Sequence, residues 1–290
     1  MPAFPDDIFT EPEDVDPDTL ANLGPLKRLA GGWEGLGGVD LNPKAEGPER
    51  RKPGIGSQAN SKGRPMPAFP EDIFTEPEDV DPDTLANLGP LRRLAGGWEG
   101  LGGVDLNPKA DGPERRDFME RSLFQPIDPQ ANGPQLFYGL RYHLHINTPE
   151  EDITFHDQTG YWLWEPATGL VIQTLSIPRG QVAIASGQAA PDADRLVVTA
   201  ERGQTDYGIC STPFLEHAFR TDSYRLEVEF HEDGSWSYVS DTMLMVRGRT
   251  ELFQHRDRNR LHRTSAPEPN PLMRILAERG DPAIRASLRE

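Results

Sequence analysis

The chain has 290 residues and a formal net charge of −17, a length that suits one large domain or two small ones. So acidic a protein repels phosphate backbones, which argues against nucleic acid as a partner, and no apolar run reaches the roughly 18 residues a membrane helix needs. Gly and Pro number 28 each, well above ordinary usage, while the one cysteine, Cys210, excludes an intrachain disulfide or a Cys-rich zinc site and fits a reducing cytoplasm.

The first residues, Met1-Pro2-Ala3-Phe4-Pro5-Asp6-Asp7, have neither the basic nor the apolar region of a signal peptide. Residues 1–51 then recur as 66–116. Only Asp6/Glu71, Lys27/Arg92 and Glu46/Asp111 differ. Solenoid repeats diverge further and come in threes or more, so this reads as one duplication of a leader. The spacer 52–65 has the Gly, Ser, Lys, Asn and Pro content of a linker.

Within each copy an acidic, Pro-rich stretch buries too little to order itself. A short helix follows, with Asp16 as N-cap, Pro17 at N1 and Gly24-Pro25 as the stop. One helix and one strand cannot fold alone, and one slot takes one copy. The second copy runs on into the body, so residues 66–95 are expected to fill the slot, with residues 1–51 redundant. A spare strand also permits a homodimer by strand exchange.

From Gly96 to about residue 265 the sequence predicts strands: Trp98–Val104, 135–146, 152–165, 169–177, 181–189, 195–200, 224–231, Trp236–Val246 and 251–263. Turn signals at Pro166-Ala-Thr-Gly169 and Glu232-Asp-Gly234 separate several of them. Tyr224, Leu226, Val228 and Phe230 alternate with three charges, as in an antiparallel sheet with one wet face. Sequential strands at this spacing predict an all-β, closed antiparallel meander barrel of about ten strands, since closure removes edges. The leader helix plugs one end. Residues 266–290 form a tail in which Leu272, Ile275 and Leu276 mark a short docked helix.

Gly96-Gly-Trp98-Glu-Gly100-Leu-Gly102 fits G-x-W-x-G-x-G and resembles the first strand of the nitrobindin family, heme-binding barrels similar in shape to fatty-acid-binding proteins. Glycines let a strand bend at a barrel corner. Phe155-His156-Asp-Gln-Thr-Gly160-Tyr161 is similar to that family's His-x-acid-Ser/Thr-Gly-Tyr strand, and Leu252-Phe-Gln254-His255 through Leu261 to its last strand. These segments stand in the family's order over about 170 residues.

The resemblance implies heme b on a proximal His255, with His156 on the distal side. It implies a ferric heme that binds nitric oxide or isomerises peroxynitrite to nitrate. Leu261 is the natural interior residue of the last strand, and strand parity then turns His255, Asp257 and Asn259 inward and the intervening arginines outward. His255 is followed by Arg-Asp-Arg-Asn, where nitrobindins carry a more apolar stretch with one residue fewer. Heme ligation by His255 and a hydrogen-bonded network of His255, Asp257 and Asn259 both remain open. Arg141, His143 and His145 share a face, expected to point inward and to suit heme propionates.

Two other functions stay in competition. One is a heme-free, lipocalin-like or fatty-acid-binding-like carrier of a small apolar ligand. The other is a cupin-like non-heme metal enzyme built on Gly139, His143, His145 and Glu150, since two histidines and a carboxylate suit a non-heme iron.

Overall fold

The computed structural model describes residues 4, 7–9, 15–35, 72–151 and 153–280. The 52–65 linker, the start of the second leader, Asp152 and the end of the tail lie outside the described residues. The chain divides into two units, with the break between Phe74 and Thr75.

In the first unit, helix Thr19–Asn22 is capped by Asp18, whose side chain accepts from the Ala21 N–H. The expected cap, Asp16, sits two residues earlier and accepts from the Asp18 N–H at 2.9 Å, so it closes the preceding turn instead. A 3₁₀ turn, Gly24–Leu29, follows. The second copy repeats this as helix Thr84–Asn87, capped by Asp83, and 3₁₀ turn Gly89–Leu94. There Leu88, Leu91 and Leu94 are buried, each worth about 1.5–3 kcal/mol. In the first copy Leu26, Leu29 and Trp33 are exposed.

The second unit is all-β. Strands β1 (Gly96–Lys109), β2 (Gly112–Pro126), β3 (Gln130–Asn132), β4 (Gln135–Asn147), β5 (Thr154–Glu165), β6 (Leu170–Ile177) and β7 (Gln181–Gln188) are followed by β8 (Arg195–Arg202) and β9 (Gly208–Ser211). After helix Pro213–Ala218 come β10 (Phe219–Phe230), β11 (Trp236–Val246) and β12 (Phe253–Ser265). Ten of them close a ring in the order β2-β1-β12-β11-β10-β8-β7-β6-β5-β4, sealed by β2–β4. The short β9 is inserted between β7 and β8, and β3 lies outside β4. The expected meander holds; β2, β3 and β9 are strands that the sequence pattern did not show.

β1 explains the glycine motif. Pairing with β2 shifts register between Gly100 and Gly103, and pairing with β12 between Glu99 and Val104, which is a β-bulge that bends the strand. A Cβ on Gly103 would meet the Phe118 ring at 2.1 Å, and one on Gly100 the Asn259 amide at 2.5 Å. Trp98 is fully buried; its indole donates to the Leu94 carbonyl at 2.7 Å and the Arg263 guanidinium stacks on it at 4.2 Å. Phe124, Trp162, Trp164, Trp236 and Leu261 join Trp98 in the core above the leader plug.

After the barrel, helix Pro271–Arg279 docks through Met273 rather than through Leu272 and Ile275, which are exposed. Asn270 holds it: its amide donates to the Pro82 carbonyl and to Asp128. Among the described residues no helix is long and apolar enough to cross a membrane.

Candidate functional site

Along β12 the side chains of His255, Asp257, Asn259 and Leu261 turn inward and Arg256, Arg258 and Arg260 outward, as the parity argument required. Moving from Leu261 towards His255, the interior changes from aromatic to polar. The first polar layer holds Glu120, Asn259, Tyr238, Tyr224, Gln173 and Gln158. Tyr238 donates its phenol proton to Glu120 at 2.8 Å. Gln158 donates to the Tyr142 hydroxyl at 2.6 Å, and Tyr224 to Gln173 at 2.9 Å. Burial lifts Glu120 to about 7, against hydrogen bonds from Tyr238 and Asn259 that favour its charge.

Beyond that layer lies His255. Its Nε2 is 2.7 Å from Asp105 Oδ1 and 3.4 Å from Asp257 Oδ1. Asp105 and Asp257 are direct cross-strand partners on β1 and β12, and the Asn107 amide holds the second oxygen of Asp105 at 2.8 Å. Burial opposes charge on His255, but hydrogen bonds and the field of the two carboxylates outweigh it and raise the imidazole to about 10. Burial likewise opposes ionisation of Asp105, yet the His255 contact holds it below the usual carboxylate range; burial keeps Asp257 above it.

His156 also faces the interior. Its Nε2 lies 3.3 Å from Gln158 Oε1. Burial lowers its pKa, opposed by the Gln158 contact and reinforced by the positive charge of His255. The two histidines expected on opposite sides of one ligand thus sense each other across the same interior.

The expected inward row of Arg141, His143 and His145 is corrected. Tyr142 between them is buried, and Arg141 and His143 are exposed. Arg141 donates to Gln125, His143 pairs with Asp157 at 2.9 Å and His145 with Thr154 at 2.9 Å. The row lies on the outer wall because β4 pivots on Tyr142, whose ring stacks on Phe124. Among the described residues only Asp105, His255 and Asp257 bring three metal-ligating atoms together, so His143, His145 and Glu150 do not form a cupin-like set. Cys210 is exposed on β9. Of the motif residues, Gly96, Trp98 and Gly100 are buried, while Gly102 lies exposed in the bulge.

Asp105 and Glu120 escaped the sequence reading. The bulge reverses strand parity, so counting from Trp98 points Asp105 outward. Glu120 lies on β2, a strand the charged pattern 112–117 concealed.

No curated protein matches this sequence. A solved structure, that of Rv2717c from M. tuberculosis, is similar at 23% identity and TM-score 0.46, covering 64% of this chain and 99% of that one. The sequence model of the THAP4-like, heme-binding β-barrel domain matches residues 87–263, from the leader plug through the last strand. With more than half of the chain and nearly all of the ring of strands inside that match, the protein belongs to the THAP4-like, heme-binding β-barrel domain family.

Proposed function

We propose that this barrel binds heme b at its polar end, where His255 would hold the iron and His156 would line the space for a small ligand. We further propose that the ferric form takes nitric oxide or isomerises peroxynitrite to nitrate. The observation that carries the reading is His255 itself: an inward imidazole on the last strand, partly open to solvent, in a family of heme-binding barrels.

The imidazole of His255 fits an iron ligand once its Nε2 is free. Asp105 and Asp257 both contact Nε2, whereas a ligating imidazole is normally steered through its other ring nitrogen, so ligation through Nε2 requires the ring to give up that proton and the two carboxylates to turn aside. Bound heme would supply an open iron coordination position for a small ligand. The chain's own contributions are then separable. His255 would hold the group, and His156, whose pKa burial lowers, would offer a hydrogen bond rather than a charge. The polar lining of Gln158, Gln173, Tyr224 and Glu120 speaks against a carrier of apolar ligands, which need mostly apolar walls.

The test is a hemin titration of the full chain followed by its Soret band. A sharp, saturable band at one heme per chain that disappears in His255→Ala supports the reading. An unchanged band in that variant overturns the ligand assignment. Nitrate formation from peroxynitrite, absent without heme, tests the reaction.

A further inference from the structure

We infer that Asp105, His255 and Asp257 form a binding site for a single divalent transition-metal cation, held directly by protein atoms and in competition with heme for the same imidazole. The inference goes beyond the heme reading and does not depend on it.

Geometry comes first. One ligand atom from each of the three side chains lies within 4.8 Å of the other two. Two of the ligands are facing residues on neighbouring strands, Asp105 and Asp257, and the third is two positions along β12. Rigid strands, rather than a mobile loop, therefore set the triangle. Asn107 fixes the rotation of the Asp105 carboxylate from behind, the kind of outer support that orients metal ligands.

Charge supplies an independent reason. Several carboxylates of the outer barrel wall have guanidinium partners: Asp241 pairs with Arg256, Glu227 with Arg195 and Arg225, Asp233 with Arg260, Asp222 with Arg220. Among the described residues no lysine or arginine reaches Asp105 or Asp257. Two inward carboxylates, both at least half-buried and in contact with each other, share only one imidazole. Buried like charges need a counter-charge, and a single imidazolium leaves the trio short by one positive charge when both acids are ionised. A divalent cation balances it with the imidazole neutral.

The donor types narrow the ligand. One imidazole nitrogen and two carboxylate oxygens suit Mn²⁺, Fe²⁺, Co²⁺ or Zn²⁺ and lack the thiolates that soft ions select. Three protein ligands leave positions free for water or a small ligand, and the partial exposure of His255 provides access. A heme iron takes only the imidazole, so the two carboxylates exceed what heme requires. Both occupants need Nε2, which makes them mutually exclusive.

The outer pair His143 and His145 could bind a cation adventitiously, since their rings stack 6.4 Å apart on one face. The experiment therefore uses the full chain with His143→Ala and His145→Ala, stripped by chelator, and titrates Zn²⁺ by calorimetry. One ion per chain is expected. Adding Asp105→Asn and Asp257→Asn should weaken binding by more than about a hundredfold, beyond the 10–100-fold of a lost outer partner. No saturable binding, or equal binding by the Asn variant, overturns the proposal. Circular dichroism and thermal unfolding of the Asn variant show whether the barrel is folded. If it does not fold, Co²⁺ absorption of the histidine-pair variant reads the site: bands of a four- or five-coordinate ion support it, and the spectrum of hydrated Co²⁺ alone overturns it. The two readings separate cleanly. Hemin binding without Zn²⁺ binding removes this proposal only, Zn²⁺ without hemin removes the heme reading only, and Zn²⁺ loaded first should slow hemin uptake.

Discussion

Tyr238 on β11 donates a 2.8 Å hydrogen bond to the carboxyl group of Glu120 on β2, which is fully buried inside the barrel. The bond crosses the interior between strands that do not pair. It accompanies a carboxyl group whose burial moves it from 4.5 to about 7. A buried acid with a raised pKa holds its proton more tightly in the folded than in the unfolded chain. Stability is then greatest below about pH 4.5 as far as this group is concerned, falls between 4.5 and 7, and stays at the lower level above. At about 1.4 kcal/mol per unit the difference is about 3 kcal/mol. Glu120→Gln keeps an acceptor for Tyr238 without the charge. Urea unfolding at pH 5 and pH 8 should show the variant gaining stability over the wild type at pH 8 but not at pH 5. An equal effect at both values would contradict the buried-acid account.

The two leader copies offer a matched pair of substitutions. Trp98 is fully buried and Trp33, in the same local sequence, is 78% exposed. Each indole makes the same local bond, to Leu94 at 2.7 Å and to Leu29 at 3.1 Å. Trp98→Ala should cost about 3–5 kcal/mol, the range for emptying a large core site. Trp33→Ala should stay within about 0.5 kcal/mol, as exposed changes do. Equal losses measured by denaturant unfolding would show that the first copy also fills a core slot.

Removal of residues 1–65 should leave the barrel's melting temperature and its hemin or Zn²⁺ titrations unchanged, because the second leader alone supplies Leu88, Leu91, Leu94 and Trp98 to the core. A drop of several degrees, or a change of oligomeric state by size-exclusion chromatography, would assign the first copy a structural task.

Gly103 sits where a methyl group would overlap the Phe118 ring. Gly103→Ala should therefore destabilise by about 1–3 kcal/mol through overpacking. Gly102→Ala, where a Cβ meets nothing within 4 Å, should cost less than about 1 kcal/mol. Thermal unfolding of the two variants side by side checks the ordering.

Legibility from sequence followed strand parity. Where a strand runs unbroken, one secure interior residue orients the rest: Leu261 placed His255 and Asp257 correctly over six residues. On β4 the anchor is Tyr142, buried between Arg141 and His143, and it turns that row outward rather than inward. On β1 the bulge between Gly100 and Gly103 breaks the alternation, so Asp105 could not be phased from Trp98. β2 was hidden because its first half, Gly112-Pro-Glu-Arg-Arg-Asp, runs as charged residues beyond the apolar core. Helix caps shifted by two residues because Asp16 and Asp18, like Asp81 and Asp83, can both bond a following N–H. The carboxylate beside His255 comes from 150 residues away, a pairing no local pattern contains.

That distance has a consequence for synthesis. Asp105 lies on the first strand of the ring and His255 on the last, and the two strands meet only when β12 docks against β1. Contacts of such long sequence separation form late and slowly. A nascent chain halted before Phe253 would lack the imidazole and leave β1 with an open edge, however well its other strands had paired. Ligand capture at this site is thus a readout of a finished chain, and a ligand present during refolding should select closed rings from those still waiting for their last strand.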